Sequence, residues 1–193
     1  MKRAVFLDRD GTVIALGSDD GRLSDIKDMR LLPSAAEALC ILNKAGFLIF
    51  IHTNQTVVAW GQISETMLQH MHDVLSERLR KKGARVEGIY YCPHHPEAPL
   101  QKYRKVCRCR KPKAGMIQEA IKEYGVNVSQ SYMVGDSSKD ILMGERAGLR
   151  TILVRTGNAG KEYGAVPVKP DYIAKNILAA ARYIRKRAAK PRV

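Results

Sequence analysis

Ala4-Val5-Phe6-Leu7-Asp8-Arg9-Asp10-Gly11-Thr12 is the stretch whose reading decides the fold. Its unbroken apolar run suits a strand covered on both faces, the habit of parallel sheets. Two acids and a glycine then follow at once, where the strand must stop. Working outward, similar short runs recur at residues 47–53 (FLIFIHT), 88–92, 132–135 and 151–154. Segments of helical period lie between them. Pro33 and Gly46 bracket the first. Ser64 can cap the second, where Ile63, Met67, Met71, Val74 and Leu75 form a stripe expected in the core before Gly83 stops it. A third covers residues 114–124, a fourth 138–146, and a last 174–187. This alternation predicts an α/β fold, a doubly wound parallel sheet with helices on both faces.

The 193 residues predict one domain over 1–193. Hydrophobic residues at 45% and charged residues at 27% exclude a disordered chain. No apolar run approaches the roughly 18 residues that span a bilayer. The charged opening is unlike a secretory signal, so a cytoplasmic protein is expected. The outlying quantity is the net charge of +14. Residues 102–113 (KYRKVCRCRKPK) carry seven basic side chains and no acid, and 182–193 (RYIRKRAAKPRV) carry six and no acid, so 13 of the 14 net charges sit in two short stretches. Concentrated positive charge attracts polyanions or small phosphorylated molecules. The C-terminal run, on the expected helix over about 174–193, is expected to be a solvated helix end.

In a doubly wound, Rossmann-like sheet ligands gather beyond the carboxyl ends of the strands. Asp8 and Asp10 follow the first strand, Thr53-Asn54-Gln55 the second, and Asp136-Ser137-Ser138-Lys139-Asp140 the fourth. Two acids one residue apart at a strand end need positive charge beside them, and a hard divalent cation such as Mg²⁺ is the usual partner. Asp136 can complete the oxygen set. DxD alone also occurs as a capping turn; DxDGT after one strand together with GDxxxD after a later one is far more specific.

With those motifs in order, the chain resembles the haloacid dehalogenase superfamily of phosphotransferases, over nearly all of its length to about residue 155. The resemblance implies roles for its four motifs. Asp8 would be the nucleophile that takes the phosphoryl group. Asp10 would protonate the leaving oxygen and then help water attack the aspartyl phosphate. Asp8, Asp136 and the main-chain carbonyl of Asp10 would hold Mg²⁺. Thr53 and Lys111 would bind phosphoryl oxygens, Asp140 would orient the lysine or the metal's surroundings, and Thr12, Asn54 and Gln55 would contact substrate. Such an enzyme is a phosphoric monoester hydrolase, and the absence of GxxxxGK[ST] favours hydrolysis over an NTP-driven kinase.

Of the four cysteines, Cys40 reads as a small core residue. Cys92-Pro93-His94 and Cys107-Arg108-Cys109 form two close pairs, and three thiolates with one imidazole suit a closed tetrahedral zinc site. Such a site would be structural and would order a loop over 92–109 that is too polar to build its own core. His95 is the alternative ligand to His94. The pattern CPHHP followed by CxCRKP resembles the histidinol-phosphate and heptose-bisphosphate phosphatase branch, in which the zinc-held loop carries a substrate-reading arginine and the third-motif lysine, here Arg110 and Lys111. A free-standing chain without a dehydratase domain favours the heptose side, hence hydrolysis of the 7-phosphate of a heptose 1,7-bisphosphate. Val57, Trp60 and Ser137 depart from the branch's pattern, as does the stretch 14–22, which lacks a Gly-Tyr pair. All of these lie around the expected substrate. Histidinol phosphate is the nearest alternative substrate, followed by DNA 3′-phosphate ends; a non-catalytic zinc-stabilised nucleic-acid binder is the alternative from another class. The expected partner is a small phosphorylated sugar, with neither nucleic acid nor membrane, and the expected state is a monomer.

Overall fold

The computed structural model describes residues 1–17 and 22–189. The departure read at residues 18–21 and the last basic residues, 190–193, lie outside the described residues. The elements run in chain order as β1 (Arg3–Asp8), α1 (Ala35–Lys44), β2 (Phe47–Asn54), α2 (Thr56–Ala59), α3 (Glu65–Lys81), β3 (Gly88–Cys92), α4 (Gly115–Tyr124), β4 (Tyr132–Gly135), α5 (Ser138–Arg146), β5 (Arg150–Val154), β6 (Tyr172–Ala174) and α6 (Ile177–Ala188). Among the described residues six strands form one sheet in the order β3-β2-β1-β4-β5-β6, every neighbouring pair parallel. The expected fold class is therefore the one observed.

The unbroken apolar character of β1 has a direct cause. Val5 and Leu7 point into one core, with Ile49, Ile51, Val134 and Ile152 and the inner faces of α1, α3 and α6. Ala4 and Phe6 point the other way, with Phe50, Met133 and residues of α4 and α5. A strand alternates its side chains, so only a sheet covered on both sides lets both sets be apolar. β1 sits at the centre, β2 and β3 lie to one side, and the chain then crosses to build β4–β6 on the other. The switch point lies between β1 and β4, and the carboxyl ends of β2, β1 and β4 stand side by side there.

Several sequence expectations shift. Met67 is 43% exposed and lies off the stripe; the buried face of α3 is Leu68, Met71, His72, Leu75 and Leu79. β6 and the one-turn α2 went unforeseen. α6 begins at Ile177 rather than 174, because Asn176 caps it by accepting from the Ala179 amide at 3.0 Å. The described part of the basic C-terminal run is solvated, with Arg182, Arg185, Lys186 and Arg187 exposed, while Ile177, Ala180, Ala181 and Ile184 on the other face of the same helix are buried in the core. No helix among the described residues is long and apolar enough to cross a membrane.

His52, near the end of β2, is fully buried, stacked on Tyr90 at 5.2 Å and edge-on to Phe6. Burial first and the Lys111 charge second push its imidazole down to about 3. The folded chain therefore keeps His52 neutral, while the unfolded chain takes up a proton below about pH 6.5. Stability from this residue is complete above that pH and is lost as pH falls toward 3. His52→Phe, which keeps the ring contacts, should flatten the fall in unfolding free energy by about 1.4 kcal/mol per pH unit below about pH 6. Urea unfolding at a series of pH values measures this; an unchanged slope would contradict a neutral buried ring.

Candidate active site

Four acids and one buried lysine define the site. Asp8 ends β1, Asp136 follows β4, and Asp140 lies in the first turn of α5. Lys111 reaches in from the loop before α4 and donates from Nζ to Asp8 Oδ1 and, at 2.7 Å, to Asp140 Oδ1. The other oxygen of Asp140 accepts from the Ser137 amide at 3.1 Å and the Ser137 hydroxyl at 2.6 Å, closing a capping box. One carboxylate thus caps α5 and aims the lysine. Ser137, a departure from the family pattern, is the N-cap of that helix. Asn54 clamps the same lysine through its backbone: Oδ1 accepts from the Lys111 amide at 3.0 Å, and Nδ2 donates to the Lys111 carbonyl at 3.4 Å.

Asp136 is held from the loop after β5. Asn158 donates to its Oδ2 from the main chain at 2.6 Å and from Nδ2 at 2.9 Å. Gly11 and Gly157 press against this carboxylate so closely that a Cβ on either would overlap it, and both have positive φ, +82° and +58°. Here glycine serves close approach as well as turn geometry.

Charge within the site is unbalanced. Carboxylate oxygens of Asp8, Asp136 and Asp140 lie within 4.8 Å of one another, all three residues buried. One ammonium faces three acids. Burial, then the Asp140 charge, holds the Asp8 carboxyl well above the usual range, with Lys111 pulling the other way. Asp136 is pushed up to about 6 by burial first and Asp140 second, against the Asn158 bonds. Lys111 is raised despite its burial, because Asp140 and Asp8 hold the proton on. A compact oxygen cluster short of positive charge suits a hard divalent cation. Asp10 is turned differently: its carboxylate accepts from Thr53 Oγ1 at 3.1 Å and Gln55 Nε2 at 3.0 Å, and pairs with Arg9.

Asp8, Asp10, Asp136 and Lys111 line a cavity of about 270 Å³ that also includes Arg22, Arg110, Lys139 and Glu162, with Asp140 behind the lysine and outside the lining. Thr53, Asn54, Gln55, Asp8, Asp10, Asp136 and Lys111 all face it, whereas Thr12 is fully buried, does not line it, and its hydroxyl has no partner among the described residues. Val57 lines the cavity, and Trp60 packs edge-on against His95 at 4.8 Å with the Arg22 guanidinium over its ring.

Beside the cavity lies the cysteine cluster. Sulfurs of Cys92, Cys107 and Cys109 are 3.1, 3.2 and 3.4 Å apart, and His94 Nδ1 is 3.4 Å from Cys109 and 3.7 Å from Cys92. A tetrahedral zinc with bonds of about 2.3 Å to sulfur needs donors a little under 4 Å apart, so this donor set fits the ion. His95 stays outside the cluster, its Nδ1 accepting from the Glu97 amide at 3.2 Å. Arg110 ties the cluster to the cavity, donating to the His94 carbonyl at 3.1 Å.

The sequence reading passed over Arg9, Asn158, Glu162, Arg22 and Lys139. Asn158 and Glu162 follow β5, and the rule that ligands gather beyond strand ends, applied to that strand, would have pointed there. Arg9 carried a signal too: an arginine between two acids at the end of an apolar strand.

The comparisons with known proteins agree with this geometry. Residues 108–180 match the HAD-hydrolase-like family model. The D-glycero-beta-D-manno-heptose-1,7-bisphosphate 7-phosphatase of Haemophilus ducreyi is 45% identical over 160 residues, covering 82% of this chain and 86% of that one. The enzyme of the same name from Haemophilus influenzae is 36% identical over 189 residues, covering 96% and 98%. Among solved structures, the D,D-heptose 1,7-bisphosphate phosphatase from B. bronchiseptica, complexed with magnesium and phosphate, superposes with a TM-score of 0.83 at 28% identity, covering 96% of this chain and 99% of that one. A buried lysine strung between the acid that ends β1 and one in the first turn of α5, found in a chain this close to those enzymes, places it among the haloacid dehalogenase-like hydrolases, in the family of the D-glycero-beta-D-manno-heptose-1,7-bisphosphate 7-phosphatases.

Proposed function

We propose that this chain is a Mg²⁺-dependent phosphatase that removes the 7-phosphate of D-glycero-D-manno-heptose 1,7-bisphosphate through an aspartyl phosphate on Asp8. The observation that carries the reading is Lys111, buried and bonded at once to Asp8 and Asp140 on the floor of a cavity rimmed by Arg22, Arg110 and Lys139. A carboxylate nucleophile beside a fixed ammonium suits attack on an anionic phosphorus centre. Three further cations suit a substrate with a second phosphate better than one with an amine, since like charges repel at the rim.

Each residue's task follows from its place. Asp8 attacks phosphorus and the bond to the sugar oxygen breaks. Asp10, lining the same cavity, gives its proton to that oxygen. Asp10 then takes a proton from water, which attacks the acyl phosphate and frees both inorganic phosphate and the Asp8 carboxylate. Splitting the displacement in two lowers each barrier. Lys111 and Thr53 bind phosphoryl oxygens, with Asp140 and Asn54 holding the lysine. Asp8, the Asp10 carbonyl and Asp136 would hold Mg²⁺, whose charge would offset the repulsion between carboxylate and phosphate. Gln55 and Arg110 complete the substrate's surroundings, while Thr12, buried behind the cavity wall, stays out of contact with it. Cys92, His94, Cys107 and Cys109 would hold Zn²⁺, which would order the loop that presents Arg110 and Lys111. The reading takes residues 1–193 as one catalytic unit that works as a monomer in the cytoplasm.

Phosphate release in the presence of Mg²⁺ from heptose 1,7-bisphosphate, histidinol phosphate and 3′-phosphorylated DNA tests the substrate. The heptose should give the highest kcat/KM, and a tenfold or greater win for histidinol phosphate would overturn it. Asp8→Asn should lower kcat by at least about 10⁴-fold while the chain stays folded, as loss of a covalent nucleophile does. The zinc assignment has a separate readout. Metal analysis should find one zinc per chain, lost in Cys107→Ser together with several degrees of melting temperature. Full zinc content in that variant would refute the ligand set.

A further inference from the structure

Asp10 is gripped from outside the cavity. Arg9, the residue before it, turns toward α3 and is 0% exposed. Its guanidinium holds the Asp10 carboxylate with a fork, Nε donating to Oδ2 at 3.1 Å and Nη2 to Oδ1 at 3.0 Å. The remaining nitrogen, Nη1, lies 3.2 Å from Nε2 of His72 on α3. Burial first and the Arg9 charge second push His72 down to about 3, so its ring is neutral and Nε2 accepts from the guanidinium. Thr53 and Gln55 hold Oδ2 from the other side.

A fully buried arginine costs several kcal/mol to desolvate unless it is well paired. Its one carboxylate partner among the described residues, Asp10, lines the cavity beside Asp8. Two parallel N–H bonds fix the plane and rotation of a carboxylate, which a single donor cannot do. The anchor behind them, His72, belongs to a helix packed into the core and not to the loops around the cavity. We infer that Arg9, backed by His72, is a positioning residue that sets the Asp10 carboxylate in the geometry its proton transfers require. The inference rests on the reading of Asp10 as the acid and base.

The two half-reactions separate this role from a merely structural one. With p-nitrophenyl phosphate the leaving phenolate needs no proton, so phosphorylation of Asp8 proceeds without Asp10. Hydrolysis of the acyl phosphate still needs a base on water. Rapid mixing should therefore show, for Arg9→Gln, a nitrophenolate burst near one equivalent per chain at a rate within about threefold of wild type. Steady turnover should be at least about thirtyfold slower, with acyl phosphate accumulating. Arg9→Lys keeps the charge and loses the fork, and should show the same pattern with at least about a tenfold slowing. His72→Leu should give a milder version, about three- to tenfold, and His72→Gln, which keeps an acceptor, should restore turnover to within about twofold of wild type.

Equal loss of burst and turnover in the Arg9 variants would make the residue structural and overturn the inference. So would wild-type kinetics in both. If the Arg9 variants do not fold, the His72 pair carries the test, and identical behaviour of Leu and Gln there would overturn it. Asp10→Asn is run alongside: unchanged turnover in that variant would defeat the acid–base reading itself, whereas slow turnover there with normal Arg9 and His72 variants would defeat only the clamp.

Discussion

Lys111 is the constraint on which the site depends. One ammonium is buried among Asp8, Asp136 and Asp140 with both of its described bonds made to carboxylates. A buried charge left unpaired would cost several kcal/mol, so lysine and acids hold one another in place, and the loss of either partner strands the other. The surrounding chain fixes this arrangement by separate means. Asn54 takes both backbone groups of the lysine, α5 is capped by the carboxylate that aims it, and the cysteine cluster bounds the loop that carries it. Asp8, Asn54 and Asp140, distant from one another in sequence, thus converge on one lysine.

That convergence explains which parts of the molecule were legible beforehand. β1 to β5 were found within a residue at each end, because a doubly covered strand needs apolar residues on both faces and no other short element does. β6 was missed because Tyr172-Ile173-Ala174 is three residues long, follows two prolines, and exposes Tyr172 and Ile173 at the sheet's edge. Met67 misled for a related reason. Apolar spacing puts Met67 on the stripe of α3 with Met71, yet the helix turns Leu68 and His72 inward beside Met71, and a buried polar His72 breaks a purely apolar pattern. Its burial follows from its partner, Arg9, which sequence periodicity cannot show.

The residues of the site divide the same way. Acids at strand ends announce themselves by spacing, since little else makes such placement tolerable. Asn158 and Glu162 did not, because their partners, Asp136 and Ser138, are brought to them only when the loop after β5 folds back over α5. Thr12 sits where its motif puts it, but the turn at Gly11 carries its hydroxyl inward and away from the cavity. The neighbouring cluster of Cys92, His94, Cys107 and Cys109 was readable from spacing alone. What spacing could not give is the bond from Arg110 to the His94 carbonyl, which makes the cluster and the cavity rim one piece.

The four acids show why position, more than count, decides the chemistry here. Asp8 is held by an ammonium, Asp10 by a guanidinium fork, Asp136 by an asparagine and two glycines, and Asp140 by the cap of a helix. Chemically identical side chains thereby acquire different directions and different environments before any substrate enters. Stabilising a developing charge is effective when the dipoles that meet it need no reorganisation. In water four carboxylates would turn away from an incoming phosphate. Here each is tied from behind by a group of its own, so the repulsion cannot be relieved by rotation, and only added positive charge, from Lys111 and a divalent cation, can relieve it. A fold that imposed less on these side chains would keep the same motif and lose that requirement.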